Sequence, residues 1–258
     1  MIPTSLPVTK PAIVRQDTLQ PRERLIVALD VPDGDAALAA VDELSGTVGA
    51  FKVGMQLFTS AGPDLVRELS AAGHRVFLDL KYHDIPNTVA NASVEATRLG
   101  IWMMNVHALG GREMMSRTAD AVNDVCSKEG HNRPILIAVT LLTSSDTAVL
   151  AELGIVGTEE EAVMRMARLT AASGFDGVVA SAREVAAIRQ DTITSNCVTV
   201  TPGIRPADGT NDDQRRVMTP EAAVAAGSDY IVVGRPIMNA NDRRMAAESI
   251  VNAIATVK

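Results

Sequence analysis

From Arg24 onward, short apolar runs alternate with longer stretches in which apolar residues recur at helical spacing. The apolar runs cover residues 25–29, 50–53, 76–80, 102–106, 135–139, 177–179, 198–200 and 230–233. They are rich in Val, Ile and Leu and almost uninterrupted by polar residues. That is the pattern of parallel strands buried on both faces, not of half-exposed antiparallel strands. The stretches between them (35–44, 63–72, 86–99, 112–127, 159–173, 182–189, 220–226 and 236 to the end) carry the periodicity of amphipathic helices. Eight strand–helix repeats over this length predict a single-domain (β/α)8 TIM barrel spanning residues 23–258. The rival is a doubly wound open sheet, which would normally carry a glycine-rich turn after its first strand. Here that strand ends Ala28-Leu29-Asp30-Val31-Pro32-Asp33, with no such turn. Residues 1–22, with Pro3, Pro7, Pro11 and Pro21, read as a flexible arm before the barrel.

A barrel of this kind carries its chemistry at the C-terminal ends of its strands. Polar side chains fall there with regularity: Asp30 after the first strand, Lys52 in the second, Asp79 and Lys81 at the third. Thr143 follows the fifth, Arg205 the seventh and Arg235 the eighth. The densest stretch is Phe77-Leu78-Asp79-Leu80-Lys81-Tyr82-His83-Asp84-Ile85-Pro86-Asn87-Thr88. Residues two apart in a strand share a face, so Asp79 and Lys81 are expected to leave the strand tip on one side. Asp84 follows in the connecting loop, ahead of a proline suited to opening a helix. Carboxylates beside a lysine favour its charged form, which suits a proton donor in a dry pocket. An Asp-x-Lys pair at a strand end also fits an ordinary surface ion pair, Asp30 alone could cap a helix, and Lys52 alone could snorkel from a rim.

The last two strand ends carry Thr201-Pro202-Gly203-Ile204-Arg205-Pro206 and Val233-Gly234-Arg235-Pro236. Loops after strands seven and eight are the common phosphate site of such barrels. Gly234 would let the backbone approach an anion, and Arg205 and Arg235 can each offer a bidentate fork. Gln214, in the polar loop 207–216, could fold over the same group, while Arg215 and Arg216 read as solvent-facing. His107 reads as a hydrogen-bonded core histidine, His83 as a residue shaping the loop beside Asp84, and His74 and His131 as exposed. No His, Cys and carboxylate set has zinc spacing, and no Ser or Cys is paired with a base.

Bulk properties narrow the partners. Among 258 residues, 47% are hydrophobic but only 3% aromatic, so the core must be aliphatic and Met-rich. A net charge of −7 and a pI of about 5.1 argue against nucleic-acid or membrane-surface binding. No run approaches a membrane span and the N-terminus does not resemble a secretory signal. Cys126 and Cys197 form no disulfide framework and read as free buried thiols of a cytoplasmic protein.

The motifs Ala28-Leu29-Asp30, Phe51-Lys52-Val53-Gly54, Asp79 to Thr88, Leu142-Thr143-Ser144, Pro202 to Arg205 and Val233 to Pro236 together resemble the orotidine 5′-phosphate decarboxylases of bacterial type. The resemblance covers about residues 24–255. It implies a homodimer of barrels that converts orotidine 5′-monophosphate to UMP, the last step of de novo pyrimidine biosynthesis, with no cofactor and no metal. It further implies a charged network of Lys52, Asp79, Lys81 and Asp84, with Lys81 delivering the proton to C6. Asp84 would enter the neighbouring subunit's site, with Thr88 beside it on the ribose. Asp30 and Lys52 would meet ribose hydroxyls, Thr143 the pyrimidine ring, and Arg205, Gln214, Gly234 and Arg235 the 5′-phosphate. Two alternatives stand beside this. Magnesium-dependent sugar-phosphate synthases or decarboxylases of the same superfamily share the Asp-x-Lys-x-x-Asp motif, but are expected to carry glutamate where this chain has Lys52. The other is a non-catalytic nucleotide-binding barrel.

Overall fold

The computed structural model describes residues 19–206 and 218–257. The strands are β1 (Leu25–Ala28), β2 (Ala50–Gly54), β3 (Val76–Tyr82), β4 (Met103–His107), β5 (Ile135–Val139), β6 (Gly177–Val179), β7 (Val198–Thr201) and β8 (Tyr230–Val233). All are parallel, each pairs with the next, and β8 pairs with β1 to close the barrel. Every strand expected from the apolar runs is present, with ends shifted by no more than two residues. The helices between them are α1 (Gly34–Leu44), α2 (Met55–Ala71), α3 (Pro86–Arg98), α4 (Gly111–Glu129), α5 (Thr147–Glu152), α6 (Glu159–Ala171), α7 (Ala182–Gln190), α8 (Pro220–Ala225), α9 (Arg235–Met238) and α10 (Arg243–Ala255).

Three departures from the expected elements have local causes. The helix after β2 starts at Met55, not residue 63, and it breaks at Gly62–Pro63, where proline has no N–H for the preceding turn. The expected last helix is two: α9 stops at Asn239, and α10 restarts where the Asp242 carboxylate accepts the Met245 N–H. The third is the unexpected α5, capped in the same way by Asp146 on the Val149 N–H at 3.1 Å.

The strands divide two cores by their period of two. Outward residues such as Leu25, Val27, Val53 and Leu78 pack under the helices. Inward residues Ile26, Ala28, Ala50, Phe77, Met103, Ile137, Val200 and Val232 fill the barrel. Leu19 joins this inner cluster, and Pro21–Arg24 form a 3-10 turn against it. Of the expected arm, residues 1–18 lie outside the described residues. Followed toward the C-terminal rim, the inward columns turn polar: Ala28 leads to Asp30, Ala50 to Lys52, Phe77 to Asp79 and Met103 to Asn105. The sequence therefore builds an apolar plug with a charged cap.

Candidate active site

The cap surrounds a cavity of about 260 Å³, floored by Ala28, Phe77, Val139, Val179 and Val232. At one side stand the charges of β2 and β3. Lys81 Nζ lies 2.6 Å from Asp79 Oδ1. Lys52 Nζ lies 3.5 Å from Asp79 Oδ2 and 3.3 Å from Asp30 Oδ1. One carboxylate thus touches two ammonium groups. Lys52 is buried, and the Asp79 side chain is 13% exposed against 53% for Asp30, so the central interactions are the less screened ones.

The meeting of Asp79 and Lys81 is not that of a regular strand. Leu78 pairs with Met104 and Tyr82 with Val106, so the three residues from Asp79 to Lys81 face the single residue Asn105. The extra length is absorbed at Lys81, the only non-glycine residue with positive φ (52°) among those described. A bulge, not plain alternation, sets this pair. Asn105 fits into it: its Oδ1 accepts the Lys81 backbone N–H at 2.8 Å, and its Nδ2 donates to Asp79 Oδ1 at 2.7 Å.

Thr143, Arg205, Gly234 and Arg235 line the rest of the cavity. Arg205 is buried and donates to the Ile204 carbonyl at 2.9 Å. The Arg205 N–H donates to the Met218 carbonyl at 3.1 Å. Gln214, Arg215 and Arg216 lie outside the described residues. Gly234 lets the backbone pass close to Asp30: a Cβ there would stand 2.9 Å from Asp30 Oδ2 and displace that carboxylate. Of the eleven residues expected at the site, eight line one cavity: Asp30, Lys52, Asp79, Lys81, Thr143, Arg205, Gly234 and Arg235.

Residues 23–250 match the family model described as orotidine 5′-phosphate decarboxylase / HUMPS family. This chain belongs to that family. It is 51% identical over 237 residues to the orotidine 5′-phosphate decarboxylase of Syntrophotalea carbinolica, covering 92% of this chain and 97% of that one. It is 53% identical to the enzyme of the same name from Halorhodospira halophila, covering 90% and 96%. The crystal structure of orotidine 5′-phosphate decarboxylase from Lactobacillus acidophilus superposes with a TM-score of 0.78 at 39% identity, over 89% of this chain and 98% of that one.

In this member of the orotidine 5′-phosphate decarboxylase / HUMPS family, Asp84 and Thr88 stand apart from the cavity. Both are exposed, in the loop and first turn of α3, and the Asp84 carboxylate accepts the Ile85 N–H at 2.6 Å. The expected hydrogen-bonded role of His107 does not hold for its Nδ1, which is buried with no hydrogen-bond partner. Burial lowers the pKa of His107 below the usual histidine value, with His83 and Lys81 adding to the effect. The His83 ring lies 5.6 Å from it. His74 and His131 are only partly exposed; His74 packs edge-on against Phe51 and His131 sits 3.2 Å from Glu129. Cys126 and Cys197 are free and buried, and burial pushes the Cys197 thiol up to about 11. Among the described residues no helix is long and apolar enough to cross a membrane.

Asn105 is the site residue that residue-by-residue reading passed over. Its signal was present. It sits two positions beyond Met103 in an inward column and lines the same cavity as Lys52 and Asp79, where a buried amide needs polar partners.

Proposed function

We propose that this chain decarboxylates orotidine 5′-monophosphate to UMP, the last step of pyrimidine nucleotide biosynthesis, using only its own side chains. The carrying observation is the carboxylate of Asp79 shared between two ammonium groups, across a small-ligand cavity from Arg205 and Arg235. Loss of CO2 from C6 leaves the bonding electron pair on that carbon, with almost no delocalisation. Lys81 holds a fixed cation beside the developing charge. It then passes a proton to C6 and is reprotonated from water. Asp79 orients Lys81, and Lys52 and Asp30 take the ribose hydroxyls. Thr143 faces the pyrimidine ring. Arg205, Arg235 and the Gly234 backbone hold the 5′-phosphate with Gln214. Binding energy from that remote phosphate is used to exclude water around the reacting carbon.

The working unit in this reading is a homodimer, with Asp84 and Thr88 entering the partner's cavity. Two features support it. Both residues are exposed beside the charged cap yet do not line their own cavity. Exposed Met55, Ile85, Leu109 and Leu142 follow β2, β3, β4 and β5 in turn, giving that side of the rim an apolar character. A cytoplasmic setting fits the two free thiols.

The magnesium-dependent alternative is disfavoured by charge. The Lys52 ammonium already stands between the Asp30 and Asp79 carboxylates, where a divalent cation would be repelled. The test is an ultraviolet assay of orotidine 5′-monophosphate with purified protein in EDTA. Sustained turnover is expected. Turnover only on restoring magnesium would favour the sugar-phosphate reading, and binding of UMP without any spectral change would favour a non-catalytic barrel.

A further inference from the structure

The geometry points to Asn105 as the positioning residue of the charged cap: we propose that its side-chain amide sets both the direction of the Asp79 carboxylate and the left-handed backbone of Lys81. This rests on the decarboxylase reading and extends it to a residue that acts through Asp79 and Lys81.

Asn105 is the single β4 residue set against the three-residue bulge of β3. Such a bulge leaves ladder groups without their usual partners. The Lys81 N–H is one of them, and it donates to Asn105 Oδ1. A backbone N–H can only donate, so the amide must turn its oxygen toward Lys81. Its NH2 then necessarily faces Asp79, an acceptor, and donates to the same Oδ1 that receives the Lys81 ammonium. One neutral group thereby clamps the lysine at its backbone and, through Asp79, at its tip. The role demands a donor and an acceptor on one short side chain. A hydrophobic residue supplies neither, and a carboxylate supplies only the acceptor while adding a charge beside Asp79. Asn105 is 1% exposed, so its amide is committed to these partners and not to bulk solvent.

The charged groups around this position are Asp79 and Lys81 on β3 and Lys52 on β2. His107 lies two residues along β4, and β5 opposes it with apolar Ile137 and Val139. This gives a test that separates positioning from mere packing. Asn105→Ala should lower kcat by about 10²-fold, the effect of a small misplacement at a reacting centre, with KM within about threefold of wild type. Asn105→Asp should be as impaired at pH 8, where two adjacent carboxylates repel. A carboxylate pair holds a shared proton more tightly, and the protonated acid is an isostere of the amide, with an O–H for Asp79 and a C=O for Lys81. Its kcat relative to wild type should therefore climb at least tenfold between pH 8 and pH 5.5. An Asn105→Ala kcat within twofold of wild type, or an Asn105→Asp profile parallel to wild type, overturns the inference. Should Asn105→Ala fail to fold, the Asn105→Asp profile decides alone. Absence of wild-type turnover would instead sink the decarboxylase reading.

Discussion

Replacing Lys81 with alanine separates chemistry from binding. The ammonium is 2.6 Å from Asp79 and its side chain is 26% exposed, so it is well but not wholly shielded from water. A unit charge held about 4 Å from a developing carbanion, at an effective dielectric near 20, contributes about 4 kcal/mol, roughly 10³ in rate. Loss of a positioned general acid removes about another 10² to 10⁴. The product is a fall in kcat of roughly 10⁵ to 10⁷ for Lys81→Ala. The fold should survive, because Asp79 keeps Lys52 at 3.5 Å and Asn105 at 2.7 Å and is not left as an orphan charge. Affinity for UMP, measured by titration calorimetry, should stay within about tenfold, since both arginines remain. The rate is read from the ultraviolet absorbance of orotidine 5′-monophosphate over hours with concentrated enzyme. A variant retaining more than about one hundredth of the wild-type kcat would remove Lys81 from both its electrostatic and its proton-donating roles.

Three further outcomes are expected. Mixing inactive Lys81→Ala and Asp84→Ala subunits should restore about a quarter of wild-type activity, since half the dimers are then mixed and each has one intact site; no recovery after verified exchange would confine the site to one chain. Arg235→Ala should lower kcat/KM by at least about 10-fold through loss of charge-assisted hydrogen bonds, and should reduce kcat as well as raise KM; an effect on KM alone would make the phosphate a simple handle. Burial lowers the pKa of His107 in the fold, so the unfolded chain takes up its proton first as pH falls, and stability is lost from about pH 6.5 downward toward the folded value. Urea midpoints at fixed protein concentration should therefore fall from pH 7 to pH 5 less steeply in His107→Gln than in wild type, and equal slopes would contradict this.

The barrel was legible because buried parallel strands write themselves as unbroken apolar runs, and all eight runs here are strands. The charged cap was legible because period-two columns carry Asp30, Lys52 and Asp79 inward above Ala28, Ala50 and Phe77. The bulge at Lys81 was not, because it comes from how β3 registers on β4 and nothing within β3 announces it. Asn105 was missed for the same reason, since its partners lie on another strand. The break at Asn239–Asp242 and the extra α5 were missed differently: their caps, Asp242 and Asp146, are visible in the sequence, but the four residues of α9 and the six of α5 give too few turns to show a period. His107 misled because an inward polar residue was expected to find a partner, and its Nδ1 has none.

The most direct measurement is a crystal structure with a UMP-like inhibitor bearing an anionic substituent at C6. The Lys81 ammonium should lie about 3 Å from that substituent, within hydrogen-bond reach, with Asp79 still in contact behind it. An amine turned away from C6, with another group in its stead, would contradict the account at its centre.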